Sequence, residues 1–474
     1  MVIWERIGNP AKIGFALVLA TAVVGCQTVP DTGPGNTTPP NTPPAQSAAV
    51  PQSPPPVPAA SEANASIGLL APIPKPGRLD LTTPQAPVAA PVPEIQERRL
   101  ALLLPLSGRG ATVGRALLDA AQMALFETAQ DDLEILVFDT QGTAAGAEDA
   151  ARLAVAEGAR LILGPLFGAS AQAARPIATA AGVSIVSFSN NRDIAGNGVY
   201  VFGFLPDQQV RRVIRYAARR GHTRIGALAP SSGFGELVVT SARIASEQVG
   251  LSVVRATYYD PSNSDLSPLV RQFANYDSRK SALAAQKSLL AGKTDQISRQ
   301  ALNRLSGLET LGDPPFDSVL LPAGDPELRG IAPLLAYYDV DPARIRLLGT
   351  ALWDEARGLG AEPALVGGWY AAASPEARKN FESKFERAFA RRPPRLASLG
   401  YDAMLLAVAL SYAEGGANYS TEALTDGNGF AGVDGIFRLM PDGTNQRGLA
   451  ILEVEAKGVR VIDPAPVSFT DFVF

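Results

Sequence analysis

Two short apolar runs separated by a helix-like segment form the clearest pattern in this chain. The run at 161–163 ends at Gly164-Pro165, a stretch of small residues follows, and a second apolar run at 183–188 ends in polar side chains. This order predicts a strand, a helix and a strand. Strands that are apolar on both faces are typical of a parallel sheet covered by helices, and such sheets bind ligands beyond the carboxyl ends of their strands. We therefore expect the polar residues at 168–170 and 189–191 to lie at a ligand-binding edge.

The same alternation of strands and helices extends over most of the chain. Before the central unit, strands are predicted at 100–106 and 133–140 and helices at 111–127 and 143–157, and a similar βα series follows residue 206. Two long helices and a glycine-rich β segment at 429–462 close the pattern. Two βα series in succession predict an α/β fold with two lobes.

The N-terminus predicts an exported lipoprotein. Arg6 and Lys12 precede an apolar run at 13–24, which is short for a membrane span and typical of a signal-peptide core. The run ends in Val-Val-Gly-Cys, which resembles a bacterial lipobox, and Cys26 is the only cysteine, so no disulfide can form within one chain. We expect a signal peptide at 1–25 and lipidation of Cys26. Gln27 resembles the residue that follows the cysteine in outer-membrane lipoproteins.

A proline- and alanine-rich segment at 26–97 follows the predicted anchor. It holds nearly half of the 39 prolines and has few charges or aromatic residues. Such a composition cannot bury a core and favours extended conformations, so we predict a disordered tether. At roughly 3.1 Å per residue it would reach about 200 Å when fully extended.

The composition argues against several classes of function. A net charge of -4 gives no reason to expect nucleic-acid binding. The single histidine, His222, is expected to be a surface or capping residue, and one histidine with one acylated cysteine leaves no His-based catalytic triad and no His/Cys zinc site. We therefore expect neither an enzyme nor a cofactor or metal site.

Several strings resemble the type I periplasmic binding proteins, whose best-known members bind branched-chain amino acids. The resemblance covers roughly 99–464, and within that superfamily it is greatest to the penicillin-binding protein activator lipoproteins. The strings that carry it are LLLPLSG at 102–108, LILGPLFGAS at 161–170, GVSIVSFSNN at 182–191, GVYVFGFLPDQQ at 198–209, LGTALWD at 348–354 and GFAGVDGIFRLMPDG at 429–443.

This resemblance implies the type I periplasmic binding protein fold, with a mostly parallel sheet flanked by helices in each lobe. The expected divisions are 98–205 in lobe 1, 206–370 in lobe 2, 371–440 again in lobe 1, and 441–474 as a C-terminal β segment and tail.

The resemblance also implies where the amino-acid receptors would hold their ligand. The serine that grips the ligand carboxylate falls on Gly168, the threonine after the fourth strand falls on Asn191, and the acid that holds the ammonium falls near Ala351. Because unpaired charges in a closed cleft cost several kcal/mol, a free amino acid is a poor candidate ligand. A different small molecule in the inter-lobe cleft is left open.

The residues that follow predicted strand ends are the candidate cleft residues. Turn or N-cap roles are the alternative for the hydroxyl and amide side chains, and inter-lobe packing is the alternative for the large aromatic ones. The candidates are Ser107, Gly108, Phe167, Ser170, Ser189, Asn190, Phe234, Asp325 and Trp353.

A helical hairpin is predicted at 278–310, where it interrupts the second lobe. Apolar residues at helical spacing predict one buried stripe per helix, and Lys and Arg fill much of the remaining surface. Its basic face is either ordinary solvated surface or a docking surface for an acidic partner. The predicted stripe residues are Ala282, Ala285, Leu289, Ile297, Ala301, Leu305 and Leu308.

The resemblance implies an outer-membrane lipoprotein, on the periplasmic side, that binds and activates a peptidoglycan synthase of the class A penicillin-binding protein type. The alternative is the substrate-binding lipoprotein of an ABC-type importer for a small solute. The first works through a protein interface, whereas the second works through a small-molecule cleft.

Overall fold

Five short parallel strands form the sheet of the first lobe in the computed structural model, which describes residues 98–128, 132–356 and 358–470. The predicted signal peptide, Cys26 and the tether lie outside the described residues. In chain order the elements are β1 (Arg98–Leu104), α1 (Ala111–Thr128), β2 (Leu133–Asp139), α2 (Ala144–Ala156), β3 (Leu161–Leu163), α3 (Gly168–Ala180), β4 (Ser184–Ser187) and β5 (Val199–Val201), with the strands ordered β2-β1-β3-β4-β5.

The second lobe begins at Pro206, where the pyrrolidine ring occupies the first turn of a helix and costs no hydrogen bond. Its first part contains α4 (Pro206–Arg219), β6 (Arg224–Pro230), α5 (Gly233–Glu247), β7 (Ser252–Tyr259), α6 (Ser267–Phe273), α7 (Tyr276–Ala291), α8 (Gln296–Ser306), β8 (Ser318–Leu320), α9 (Glu327–Tyr337), β9 (Arg346–Gly349) and β10 (Trp369–Ala372).

The chain then returns to the first lobe and crosses once more. Because β10 runs to Ala372, the return comes after that residue rather than at 370, and the last crossing lies between β13 and β14. The remaining elements are α10 (Pro375–Phe389), α11 (Ala397–Ser411), α12 (Thr421–Leu424), β11 (Phe430–Gly432), β12 (Gly435–Leu439), β13 (Asn445–Arg447), β14 (Ala450–Glu455) and β15 (Gly458–Asp463).

The two C-terminal strands complete the sheet of the second lobe. Its seven strands are ordered β15-β14-β10-β9-β8-β6-β7, and only β14 and β15 run antiparallel to their neighbours, while β11, β12 and β13 form a separate antiparallel sheet. The turn between β12 and β13 contains Asp442-Gly443, as the sequence predicts. The predicted α/β fold with two lobes is confirmed.

Helix α11 is the central helix of the first lobe. Nearly all of its side chains are buried, so it shows no amphipathic pattern, as expected for a helix surrounded by core. It packs on α1 at close range because Gly400 has no side chain: a Cβ there would lie 2.3 Å from the carbonyl oxygen of Leu117.

The hairpin of α7 and α8 exists, but its buried face is not the predicted one. The side chains that α7 buries are those of Arg279, Leu283 and Leu290. Leu289 is 67% exposed and Ile297 is 79% exposed, so much of the predicted apolar stripe faces solvent. The prediction was wrong because α7 carries two apolar faces, and contacts with distant loops select the one that includes Arg279.

Candidate functional site

A cavity of about 120 Å³ lies between the lobes. Asn190 follows β4, Phe234 follows β6 and Thr350 follows β9. The cavity therefore lies beyond the carboxyl ends of parallel strands. This is the edge at which the sequence predicts ligand-binding residues. The full lining is Asn190, Phe204, Pro206, Gln209, Phe234, Thr350, Ala351, Leu352, Glu355, Arg395 and Leu396.

Two polar side chains in the wall of this cavity have atoms without a hydrogen-bond partner among the described residues. They are Nε of Arg395 and Oγ1 of Thr350, and both side chains are buried. The Arg395 guanidinium lies 4.2 Å from the centroid of the Phe204 ring and pairs with Asp434 at 3.0 Å. The cavity wall therefore includes one guanidinium and one hydroxyl with unpaired atoms, beside the Glu355 carboxylate and the Asn190 and Gln209 amides. Neither was among the predicted cleft residues: Arg395 lies in none of the quoted strings, whereas Thr350 lies in LGTALWD at 348–354 and was passed over.

Asn190 and Phe234 are the two predicted residues that the structure brings together at the cavity. Ser189 lies beside them but is only 6% exposed, and its hydroxyl accepts a hydrogen bond from the Asn191 amide at 3.1 Å. It therefore serves as a turn residue. A Cβ at Gly168 would lie 3.3 Å from Asn191, so these two positions contact each other closely.

Ser107, Gly108 and Phe167 lie in neighbouring loops of the first lobe and do not line the cavity. The Ser107 hydroxyl donates to Oδ2 of Asp139 at 2.5 Å. Gly108 has φ +64°, and a Cβ there would lie 2.5 Å from the carbonyl oxygen of Gln141, so the turn requires glycine. Ser107 and Gly108 thus maintain loop structure, and the centroid of the Phe167 ring lies 5.0 Å from the guanidinium carbon of Arg109.

The remaining three predicted residues, Ser170, Asp325 and Trp353, do not line the cavity. Ser170 is 1% exposed and its hydroxyl donates to the Thr143 carbonyl at 3.1 Å, which joins α3 to the start of α2. Asp325 pairs with Arg329 one helical turn later at 2.9 Å. Expecting these side chains in the cleft was wrong, because each is engaged within its own lobe.

Trp353 is the clearest correction. Its side chain is fully buried in the core of the second lobe, and its indole nitrogen donates to the Leu321 carbonyl at 3.0 Å. Gly349 and Gly368 make room for the ring, since a Cβ at either position would lie under 3 Å from it. Trp353 thus forms neither the cleft wall nor the inter-lobe packing considered as its alternative.

A partly buried ion pair joins the two lobes next to the cavity. Arg378, on α10 of the first lobe, donates to Asp354 of the second at 2.9 Å, and the Tyr370 hydroxyl donates to the other oxygen of Asp354 at 2.9 Å. Burial raises the pKa of Asp354, and the positive charge of Arg378 opposes that rise. Breaking a buried pair by removing one partner typically costs about 3–5 kcal/mol. The pair therefore stabilises one relative position of the lobes.

Strand β13 forms a second junction between the lobes. Asn445 donates to the carbonyls of Val201 and Gly203 at 2.8 and 2.9 Å, and the Arg447 guanidinium donates to the Phe202 carbonyl at 2.9 Å. On the side of the second lobe, the Arg447 amide donates to Gln208 on α4 at 3.0 Å. The hinge region is thus held by buried amide and guanidinium groups.

Two buried carboxylates accompany Arg447. Burial, and then the charge of nearby Asp434, raises the pKa of Asp402 to about 7, although Arg447 lowers it. The pKa of Asp434 is lowered, because Arg395 and Arg447 outweigh the effect of its burial. The two carboxylates therefore ionise at different pH values.

His222 has a structural partner, since its Nδ1 lies 3.2 Å from Oδ1 of Asp317. Within the described ranges, no group of three or more His, Cys, Asp or Glu side chains is placed to hold a metal ion. No helix of the described part of the chain is long and apolar enough to cross a membrane.

Comparisons with known proteins agree with this architecture. The model of the periplasmic binding protein family matches residues 97–459. An uncharacterized protein of Rickettsia prowazekii is 26% identical over 187 residues, which are 38% of this chain and 48% of that protein. The match thus spans about half the length of the curated relative.

Solved structures of solute-binding proteins share the fold. A putative branched-chain amino acid ABC transporter protein of Rhodospirillum rubrum is 20% identical, with a TM-score of 0.60 over 77% of this chain and 99% of that one. A solute-binding protein of Rhodopseudomonas palustris, in complex with 3,4-dihydroxybenzoic acid, is 16% identical, with a TM-score of 0.54 over 78% of this chain and 98% of that one. The chain has two lobes with a cavity at their strand ends, and the family model matches most of the sequence. This chain therefore belongs to the periplasmic binding protein family.

Proposed function

We propose that this protein is a lipid-anchored regulator that binds and activates a peptidoglycan synthase of the class A penicillin-binding protein type. It would act from the periplasmic side of the outer membrane. The observation that carries the proposal is the small size of the inter-lobe cavity. Ligand pockets usually enclose roughly 300–1,000 Å³, whereas this cavity encloses about 120 Å³.

The polar groups around the cavity also argue against capture of a free amino acid. Position 168 has no side chain, and the backbone amide of Ala351 already donates to Oε1 of Gln209 at 2.8 Å. A carboxylate and an ammonium enclosed there would lack the partners that offset their desolvation. The partly buried pair between Arg378 and Asp354 further favours a fixed arrangement of the lobes over repeated opening and closing.

The N-terminal sequence supports action at a distance from the anchor. A protein tethered through Cys26 to the outer membrane needs reach to meet an enzyme embedded in the inner membrane, and the proline-rich segment at 26–97 is suited to supply it. The strings that resemble the penicillin-binding protein activator lipoproteins point to the same class of partner.

A second candidate function is the solute-binding subunit of an ABC-type importer. It is favoured by the similar solved structures and by the two unpaired buried atoms, Nε of Arg395 and Oγ1 of Thr350, in the cavity wall. These atoms would suit a small acid with no ammonium group better than an amino acid.

The two functions separate in a paired experiment on detergent-solubilised protein. We expect it to accelerate glycan synthesis by a purified class A synthase, and to give no calorimetric signal at micromolar concentration with leucine or 3,4-dihydroxybenzoate. The reverse result, binding of a solute without any effect on the synthase, would favour the importer.

Shortening the tether tests whether the protein must span the periplasm to function. Deleting 36–76 removes 41 residues and up to roughly 130 Å of maximum reach. We expect stimulation in detergent to survive, function in cells to fall, and an unrelated proline-rich segment of equal length to restore it. Cys26→Ser is the matched test of the anchor and should release the protein from the outer membrane. Normal function of the shortened protein in cells would contradict the need to span the periplasm.

A further inference from the structure

A second and larger cavity runs along helix α4 and shares no lining residue with the cavity between the lobes. It encloses about 660 Å³, within the usual size range of a ligand site. Its walls are α4, Arg192 of the first lobe, the segment 440–449 that contains β13, and residues 463–467 at and after the end of β15. We call this cavity the α4 groove.

Arginines outnumber acidic residues in the α4 groove. Besides the buried Arg447, it is lined by Arg192, Arg211, Arg212, Arg215 and Arg219, against Asp207, Asp442 and Asp463.

Two of these aspartates are each shared between two guanidinium groups. Asp207 accepts from Arg192 at 2.6 Å and from Arg211 at 3.0 Å. Asp463 in the same way accepts from both Arg212 and Arg219. Each shared carboxylate leaves one positive charge uncompensated. The third aspartate, Asp442, accepts hydrogen bonds from the amide and hydroxyl of Thr444 and keeps its negative charge, so positive charge still exceeds negative charge in the groove.

Arg215 adds a further uncompensated charge at the middle of the groove. It has no carboxylate partner among the described residues, and its recorded contact is a long hydrogen bond of 3.4 Å to Gln248. Burial, and then the adjacent positive charge of Arg211, lowers its pKa. Like charges held together in a partly buried wall favour an anionic ligand, because it would relieve their repulsion.

The spacing of the arginines favours a polymer over a small anion. Arg211, Arg215 and Arg219 lie on one face of α4 at intervals of four residues, so at about 1.5 Å per residue they extend over roughly 12 Å of helix. A single phosphate or carboxylate cannot contact all three. An extended peptide places alternate side chains roughly 6–7 Å apart, which matches the rise of about 6 Å between successive arginines.

Apolar side chains also line the α4 groove, among the polar residues of the β12–β13 turn and β13. They are Met440, Leu449, Pro464, Pro466 and Val467, and Val467 is 87% exposed. A peptide that presents acidic side chains toward α4 would therefore place its other side chains against carbon atoms.

We propose that the α4 groove binds an acidic, extended peptide segment of a partner protein. The inference deepens the proposed regulator function, because the segment would then belong to the synthase. Peptide binding is measured without the synthase, so the two proposals can fail separately. If the groove binds no acidic peptide, the protein can still activate the synthase. If the protein does not activate the synthase, the groove can still bind an acidic peptide.

The test uses the full-length protein and a labelled hexaglutamate peptide, with hexalysine as the comparison. We expect hexaglutamate to bind and hexalysine not to bind, and the affinity for hexaglutamate should fall as salt is added. The double variant Arg211→Gln and Arg215→Gln removes two charge-assisted contacts, and it should weaken binding roughly tenfold. Arg243→Gln, an exposed arginine on neighbouring α5, is the matched control and should bind as the unmodified protein does.

Three results would overturn the proposal. The first is no binding of hexaglutamate at low salt. The second is equal weakening by the double variant and by Arg243→Gln, which would indicate a general effect of charge. The third is displacement of hexaglutamate by an equal concentration of inorganic pyrophosphate, which would make the groove a small-anion site.

Discussion

The hairpin of α7 and α8 and the helix α4 are both rich in basic residues, yet they use them in opposite ways. On α7, Arg279 is only 6% exposed and donates to the Gly312 and Asp339 carbonyls and to the Asp339 carboxylate, while apolar Leu289 faces solvent. On α4, the apolar side chains are buried and the arginines line an open groove. A basic residue thus marks a docking surface only where the structure leaves its charge uncompensated.

This difference changes what the hairpin can do. Arg279 belongs to the basic residues of the predicted hairpin but fixes the hairpin to its lobe, whereas Lys280 is exposed and Lys287 is partly exposed. The α4 groove instead gathers six arginines and three aspartates around one cavity.

Arg279→Ala should destabilise the protein by about 3 kcal/mol, because it removes buried charge-assisted hydrogen bonds to the Gly312 and Asp339 carbonyls and to the Asp339 carboxylate. Lys280→Ala, at the next residue, should change the free energy of unfolding by less than about 0.5 kcal/mol. Urea unfolding of both variants measures the contrast. Similar small effects would mean that Arg279 is ordinary surface.

The buried junction at Asp402 should make stability depend on pH. Since burial raises its pKa to about 7, the folded state retains a proton that the unfolded state releases above pH about 4. This contribution therefore favours folding at low pH and is lost as pH rises toward 7, by on the order of a few kcal/mol. The free energy of unfolding of Asp402→Asn relative to wild type should rise over that window. Asp193→Asn is the control for loss of an exposed carboxylate; a flat difference for Asp402→Asn would contradict the raised pKa.

Reversing Lys280 and Lys287 to Glu tests whether any docking role remains for the hairpin. If its exposed face contacts an acidic partner, binding should weaken severalfold at low salt and less at high salt, because screening reduces steering between surface charges. Arg279 is kept, so that folding is unaffected. Unchanged binding with an unchanged melting temperature would identify the face as ordinary surface.

The double variant Arg211→Gln and Arg215→Gln should have the smallest effect on stability, within about 0.5 kcal/mol of wild type, because both side chains are partly exposed and repel each other. Chemical denaturation beside Arg279→Ala provides the comparison. A loss as large as that of Arg279→Ala would show that the groove arginines maintain the fold.

The pattern of apolar and polar residues predicted the helices and strands well, because secondary structure depends largely on residues close together in the sequence. The predicted helix at 111–127 is Ala111–Thr128, and the predicted strand at 183–188 contains Ser184–Ser187. Of the two polar ends predicted for the central βαβ unit, the one after β4 places Asn190 at the cavity, whereas Ser170 of the other is bonded within the first lobe. Apolar periodicity and the chirality of parallel βα connections suffice for these features.

The sequence alone therefore determined the α/β class, the two lobes and the edge at which a cleft forms, whereas the tertiary structure decided which side chains face that cleft. Trp353 and Ser170 follow strand ends, as ligand-binding residues do. The Trp353 indole is nevertheless buried in a core, because Gly349 and Gly368 leave room for it, and the Ser170 hydroxyl donates to the Thr143 carbonyl. Arg279 is buried because Asp339 lies beside it from 60 residues further along the chain. Partners that distant leave no local signal, since the periodicity of a helix fixes its faces but not which face the rest of the chain will cover.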